Sequence, residues 1–436
     1  MALVPTMASA EPAIFYIPTE EVTLRPLNSG PCGGGIDSAF GCTPAVSEET
    51  PEPPYASADT LTQAVDDAFA EYDVTVTNTR PPEYISYVMV LPRDAAADMS
   101  QSFSCTTSGI NCGARGRNDL FFVTGSTMNC IDPEIVHATV YGLGRTSGLE
   151  GVDNPDDWMN YLLGAGSAAG PDYATPPMGF LDVCSDRVQQ QGFNDQDQQV
   201  SLPLECTSSD HAECPDGMNG MAQQNSHQDL LLYYGTPLDD TDPPELSNVV
   251  PAPDTVLQQG DDLVLDVDIT DADLVVGARW VVQSQALIDA GIESGTLSQC
   301  TNDACDANWN DASPLKATDS DWSFTLEMLP AGEYNITLEA ADYHGNVAEM
   351  MSFVVTIEGG ASGTTGDMDT DMGSNTNPTG GVFTSGEDST GGGPGSTTSG
   401  EDEDPSGCTC RTTPAPGGAV LMLLGLLGLG TLRRRG

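Results

Sequence analysis

The chain has 436 residues, with 65 Asp plus Glu against 13 Lys plus Arg and a formal net charge of -52. A surface this acidic repels nucleic-acid phosphates and anionic lipid headgroups, which excludes DNA- and RNA-binding roles, while the length leaves room for two or three domains with hydrophobic cores. Only one lysine, Lys316, occurs, and solubility in an ionic extracellular setting accounts for the acidity. Eight of the twelve cysteines precede residue 240: Cys32, Cys42, Cys105, Cys112, Cys130, Cys184, Cys206 and Cys214. Cys300 and Cys305 form a close pair, and Cys408 and Cys410 lie near the end. Even numbers in each part imply disulfides formed in an oxidising compartment, with sequence-neighbour pairing the simplest guess and the connectivity left open.

In chain order, residues 1–10 are expected to be the remnant of a signal peptide. Ala8-Ser9-Ala10 before Glu11 has the form of a cleavage site, although only Ala2-Leu3-Val4 stands in for the apolar core. Residues 11–240 alternate strands and helices. Phe15-Tyr16-Ile17 opens the domain as a strand, and a helix is expected over 59–71 with Leu61, Ala64, Val65, Ala68 and Phe69 at helical spacing. Strands follow at 74–77, 87–91 and 120–123, the last directly before a helix that ends at Gly148. His227, in Asn225-Ser226-His227-Gln228-Asp229, precedes a terminal helix through Leu230 to Tyr234, and a capping or packing role suits it.

The segment Tyr141-Gly142-Leu143-Gly144-Arg145-Thr146-Ser147-Gly148-Leu149-Glu150-Gly151 resembles the active-site helix of the metzincin zinc metallopeptidases. In that family His-Glu-x-x-His-x-x-Gly-x-x-His puts two histidines on one helix face, and a glycine turns the chain toward a third. The resemblance places Tyr141 and Arg145 at the helical histidines, Gly142 at the general-base glutamate, Gly151 at the third histidine and Met159 at the methionine turn. A second register, beginning at His137, puts Ala138 at the base, Tyr141 at the second histidine and Gly144 at the turn glycine. Both registers lack the carboxylate that would activate a zinc-bound water, and the Arg145 guanidinium repels a cation. The resemblance therefore implies an α/β (α+β) metzincin-like domain over 11–240 with no catalytic residue, no metal ligand and no cofactor. Zinc would return only if His137, Tyr141 and an acidic residue acted as unorthodox ligands of a working peptidase.

Residues 241–358 read as an all-β sandwich, immunoglobulin-like or fibronectin-like. Leu263, Leu265, Val267 and Ile269 alternate with polar or outward positions, as do Tyr334, Ile336, Leu338 and Ala340, and a final strand runs through Phe353, Val355 and Ile357. Asp242-Pro243-Pro244 and Leu329-Pro330-Ala331-Gly332-Glu333-Tyr334 resemble bacterial Ig-like repeats of surface proteins. The excursion 297–310, closed by Cys300 and Cys305, reads either as a recognition loop or as a disulfide-stapled excursion without function. Asp266, Asp268, Asp271 and Asp273 are the acidic groups here that calcium would use, although they lack the spacing of a calcium loop.

Residues 359–407 are Gly, Ser, Thr, Asp and Pro with few bulky apolar residues, a composition that cannot bury enough surface to fold. About 50 residues of such coil reach roughly 40 Å. The tail 408–436 follows: Cys408-Thr409-Cys410, an apolar helix over 417–432, then Arg433-Arg434-Arg435. At ~1.5 Å per residue the helix spans about 24 Å against a ~30 Å hydrocarbon core. This layout resembles the MYXO-CTERM sorting tails of myxobacterial surface proteins, which implies cleavage near the cysteines by a membrane-embedded sorting peptidase and display at the cell surface. The expected partners are that peptidase, the membrane through the tail helix, and a protein or peptide ligand at the surface. Three functions stand: a dead metzincin-like module that binds or supports, a surface zinc peptidase with atypical ligands, and an adhesin or envelope spacer. An open cleft beside Tyr141 favours peptide binding, and a filled one favours the spacer.

Overall fold

A computed structural model describes residues 10–29, 36, 38–43, 45–92, 106–107, 112, 118–123, 132–160, 179–188, 191–193, 199–201, 204, 206, 211, 214, 222–272, 276–291, 295–300 and 322–359. Residues 1–9, expected to belong to a signal-peptide remnant, Cys32, Cys105, Cys130, Cys305, nearly all of the expected linker and the whole tail segment, with Cys408, Cys410 and Arg433 to Arg435, lie outside them. Among the described residues no helix is long and apolar enough to cross a membrane.

The first half contains β1 (Ala13–Tyr16), β2 (Val22–Pro26), β3 (Cys42–Thr43), β4 (Thr50–Glu52), α1 (Ala58–Phe69), β5 (Val74–Thr77), β6 (Val88–Pro92), β7 (Thr106–Thr107), β8 (Asp119–Val123) and α2 (Asp132–Thr146). After these come β9 (Ser185–Asp186), β10 (Gln191–Phe193), β11 (Gln199–Ser201), β12 (Gln223–Gln224) and α3 (Ser226–Tyr234). The main sheet has the order β5-β1-β6-β8-β7, and all its pairings are parallel except that of β7 with β8.

Parallel strands are covered on both faces, so they read as unbroken apolar runs. Along β1, Ala13 and Phe15, with Ile17 just beyond, face one core together with Leu61, Val65 and Phe69 of α1 and Ala138, Tyr141 and Leu143 of α2. Ile14 and Tyr16 face the opposite core with Val22, Leu24, Tyr87, Met89 and Phe122. Helix α1 presents Leu61, Val65 and Phe69 at intervals of four as its buried stripe. It stops at Phe69, two residues before the expected end, because the Tyr72 amide turns back to the Phe69 carbonyl and the Tyr72 ring packs edge-on against Phe69 and Phe180.

The second half is an all-β sandwich. Its elements are β13 (Glu245–Val250), β14 (Val256–Gln258), β15 (Leu263–Thr270), β16 (Val276–Gln283), α4 (Gln285–Asp289), β17 (Thr296–Cys300), β18 (Phe324–Leu326), β19 (Gly332–Asp342) and β20 (Met351–Glu358). One sheet is β13-β15-β18, the other β14-β20-β19-β16-β17. The alternating residues of β15 (Leu263, Leu265, Val267, Ile269) meet Trp280 and Val282 of β16, Ile336 and Leu338 of β19, and Phe353 and Val355 of β20 in one core. Trp280 Nε1 donates to the Trp322 carbonyl at 3.4 Å, and the Tyr334 hydroxyl to the Pro330 carbonyl at 2.6 Å, so the polar ends of these large side chains are satisfied.

The two halves belong to one compact unit, Met1–Thr364. The end of β19 leaves the sandwich core, and Ala341 and Tyr343 enter the outer core of the parallel sheet. The Tyr343 hydroxyl is 2.9 Å from Ser86 Oγ. Beside it Arg279 of β16 lies 3.1 Å from Glu83 and 2.7 Å from Glu339, with its guanidinium 5.3 Å from the centre of the Tyr84 ring. Tyr343→Ala is expected to cost about 3–5 kcal/mol in urea unfolding, and Tyr343→Phe only about 1 kcal/mol, because the ring rather than its hydroxyl fills the joint.

Candidate functional site

Helix α2 carries every residue of the candidate motif up to Thr146, and it is buried nearly all round. Tyr141 is 4% exposed and Arg145 6%, and Val140, Leu143 and Thr146 are fully buried. Gly142 and Gly151 are buried as well. A helix without a solvent face is a core helix rather than the wall of a cleft.

Gly148 ends the helix at φ +92°, a left-handed conformation that glycine adopts without a Cβ penalty. Its amide bonds to the Arg145 carbonyl at 2.9 Å, and the Leu149 amide to the Gly144 carbonyl at 2.9 Å, the paired bonds of a Schellman cap. Met159 is fully buried and lies directly against Gly144, where an added Cβ would overlap the methionine sulfur. Gly148 thus caps the helix, and Met159 packs against it at Gly144.

The turn beyond the helix is held by side chains. Gln224 accepts from the Glu150 amide at 2.8 Å and donates to the Glu150 carbonyl at 3.0 Å. The Glu150 carboxylate takes Arg187 Nη1 at 2.6 Å and the Cys206 amide at 3.3 Å, and Arg187 also donates to the Cys206 carbonyl at 3.0 Å. His211 approaches the same carboxylate at 3.9 Å and donates from Nδ1 to Asp229 of α3 at 2.8 Å. Gly151 receives the Val188 amide at 2.8 Å. These four ionisable residues, Glu150, Arg187, His211 and Asp229, are all under 9% exposed, and sequence reading singled out none of them as a group. Glu150 stood in the motif segment, and no local pattern linked it to the other three.

Two disulfides close over this region, Cys112–Cys206 and Cys184–Cys214, and Cys42 is also disulfide-bonded. Neighbour pairing is corrected here. Cys112 pairs across 94 positions because Cys206 comes to the Glu150 turn, and Cys184 and Cys214 come together across 30.

His137 stacks on Trp158 with ring centres 5.6 Å apart and lies 3.1 Å from the Trp158 carbonyl through Nε2. Burial lowers its pKa to about 4, against a smaller upward pull from that hydrogen bond. Neighbouring Asp157 moves the other way. Burial raises it to about 6, although the Met159 and Leu181 amides, at 2.8 and 3.1 Å, favour its charged form. His227 packs as expected, with Nδ1 2.9 Å from the Tyr72 hydroxyl, while Asn225 caps α3 by accepting from the Gln228 amide.

Of the four sandwich carboxylates, Asp273 lies outside the described residues, and Asp266 and Asp268 turn to separate partners. Asp266 accepts from the Val267 amide and Asp268 from the Asn248 side chain. Among the described residues, the His, Cys, Asp and Glu side chains that could hold a metal together are Asp240, Asp342 and His344, none of them on α2.

No family model matches the chain, and no curated protein matches it. Similar solved structures include the PKD domain of a peptidase from a Thermoplasmatales archaeon, at 12% identity and TM-score 0.18, covering 27% of this chain and 99% of that one. The fibronectin(III)-like modules of Clostridium thermocellum CbhA match at 7% identity and TM-score 0.20, over 45% of this chain and 72% of theirs. The SrpA adhesin of Streptococcus sanguinis matches at 18% identity and TM-score 0.17, over 28% of this chain and 57% of its own. At such scores these likenesses carry no weight for fold or function.

Gly144→Ala is expected to destabilise the protein by about 1–3 kcal/mol despite the better helix propensity of alanine, because the methionine must move. Met159→Ala in the same chain should recover part of the loss in urea unfolding. His137 supplies a pH test. Its folded pKa is about 4 against an ordinary imidazole value of about 6.5, so its contribution is present above ~6.5 and is lost as pH falls toward 4, while Asp157 opposes it over much of that range. Between pH ~7 and ~4.5, wild type should lose on the order of 2–3 kcal/mol more unfolding free energy than His137→Gln.

Proposed function

We propose that the protein is an exported, surface-displayed, non-enzymatic module in which a metzincin-like domain has lost catalysis and serves as a rigid support for the Ig-like sandwich. The observation that carries this reading is the state of the four motif positions. Tyr141 and Arg145 are buried, Gly142 and Gly151 bear no ligand atom, and the turn they would frame is held by the Glu150–Arg187 ion pair. A phenol, a guanidinium and two glycines do not fit a zinc ion that acts through bound water.

The metzincin-like reading draws support from the order of α1, strands and α2, from the Gly148 cap and from Met159 beneath the helix. The filled surroundings of Tyr141 favour a supporting role over a peptide groove. The disulfides fit an oxidising compartment. Export, cleavage of the MYXO-CTERM-like tail near Cys408 and Cys410, and attachment through 417–432 complete the proposal, with a protein or peptide of the cell surface as the partner sought.

The test is zinc content by mass spectrometry on the full oxidised chain, with a broad peptide-cleavage screen beside it. The expected result is no cleavage and no zinc that depends on Tyr141 or His137. Cleavage of any peptide, or stoichiometric zinc that survives dialysis and disappears in Tyr141→Phe or His137→Ala, would return the protein to the peptidases.

A further inference from the structure

The joint between the two halves gathers three ligand-type side chains, Asp240, Asp342 and His344, away from the motif helix. Asp342, at the end of β19, is 1% exposed, and one carboxylate oxygen accepts the amides of His344 and Asn346, both at 2.8 Å. His344 follows in the same turn, its side chain 9% exposed, with Nε2 2.9 Å from Asp73 Oδ1. Asp240 arrives from the segment between α3 and β13. Its backbone carbonyl accepts the Asn346 side chain at 3.2 Å, and Oδ1 accepts the Asp242 amide at 3.1 Å. Its other oxygen, Oδ2, is sealed from solvent and has no hydrogen-bond partner.

A sealed carboxylate oxygen without a donor is costly and calls for a cation or a proton. Oxygens of Asp240 and Asp342 and a ring nitrogen of His344 already lie within 4.8 Å of one another. A metal with bonds of roughly 2.0–2.2 Å would draw each atom inward by less than about 1 Å. Asp73 stands behind His344 as carboxylates do behind metal-binding histidines, holding the Nε2 proton and leaving Nδ1 the basic nitrogen. The imidazole directs the set toward zinc-type transition metals rather than calcium, which takes oxygen alone.

We propose that Asp240, Asp342 and His344 bind one divalent transition-metal ion of the zinc type, which locks the sandwich onto the first domain. The inference is independent of the reading of the motif helix. The ion is structural, since its ligands come from the interdomain chain segment and from the turn after β19, beside the seat of Tyr343.

The test uses the full oxidised chain stripped with EDTA, titrated separately with Zn²⁺, Mn²⁺ and Ca²⁺ by calorimetry and followed by thermal melting. One zinc per chain is expected, with a rise in Tm of several degrees. Asp240→Asn should abolish both, and because Asp240 reaches Asn346 through its backbone and Asp242 through an oxygen that Asn retains, its metal-free circular dichroism should match wild type. Asp73→Asn should weaken zinc about 10–100-fold by releasing the His344 ring. Absence of saturable binding, calcium binding in place of zinc, or zinc binding undiminished in Asp240→Asn would overturn the proposal. Zinc lost in Tyr141→Phe but kept in Asp240→Asn would place the ion on α2 and overturn the reading of that helix as well.

Discussion

A parallel sheet has two apolar faces, and both must be kept from water. Most of this molecule follows from that requirement. Helices α1 and α2 cover one face, with Val65 and Phe69 from the first and Ala138, Tyr141 and Leu143 from the second packed against Phe15, Val88 and Phe121. On the other face Val22, Leu24 and Ala39 cover Ile14, Tyr87 and Met89, and the sandwich contributes Ala341 and Tyr343 to the same core. The sandwich is therefore not a bead on a string. Part of its longest strand is structural material for its neighbour, and Arg279 adds a polar seam between Glu83 and Glu339.

The same economy of burial governs helix α2. Met159 fills the space at Gly144 and Trp158 covers His137, so the helix is packed on these sides as well as against the sheet. Something must still hold the chain as it turns at Gly148 and runs back under the helix. Glu150 does so with Arg187, Gln224 and the Cys206 amide, and the Cys112–Cys206 disulfide ties that amide to a separate part of the chain. A buried pair of this kind is kept in place by the cost of breaking it, about 3–5 kcal/mol when one partner is removed, more than by any net gain over an apolar pair. That makes it a positional device, which suits a turn that must be held in one geometry.

What could be read from the sequence followed local periodicity. The strands at 74–77 and 120–123, the stripe of α1, the alternation of β15 and β19 and the glycine stop of α2 are patterns within a dozen residues, and the structure places them within a residue or two of expectation. The central strands also gave themselves away as apolar runs, because each is buried on both faces. Asp266 and Asp268 showed the limit of that approach. Their period marks a half-buried strand, and the same period sends them outward to separate neighbours.

The joint left no local trace. Asp73 and His344 meet across 271 positions, and Ser86 and Tyr343 across 257, so neither contact imposes a repeat on the residues around it. In the sequence Asp342-Tyr343-His344-Gly345-Asn346 looks like an ordinary turn, and in isolation it is one: Asp342 accepts from two amides in its own loop and Gly345 takes φ +91°. The turn gains a second role because Tyr343 must reach the outer core, which brings its two flanking ligand-type residues against Asp73 and Asp240. Packing thus decides where these charges gather. In a chain with 65 acidic residues and 13 basic ones, carboxylates gathered at a buried joint draw on few protein cations, which is the condition under which a bound metal becomes the effective counter-charge.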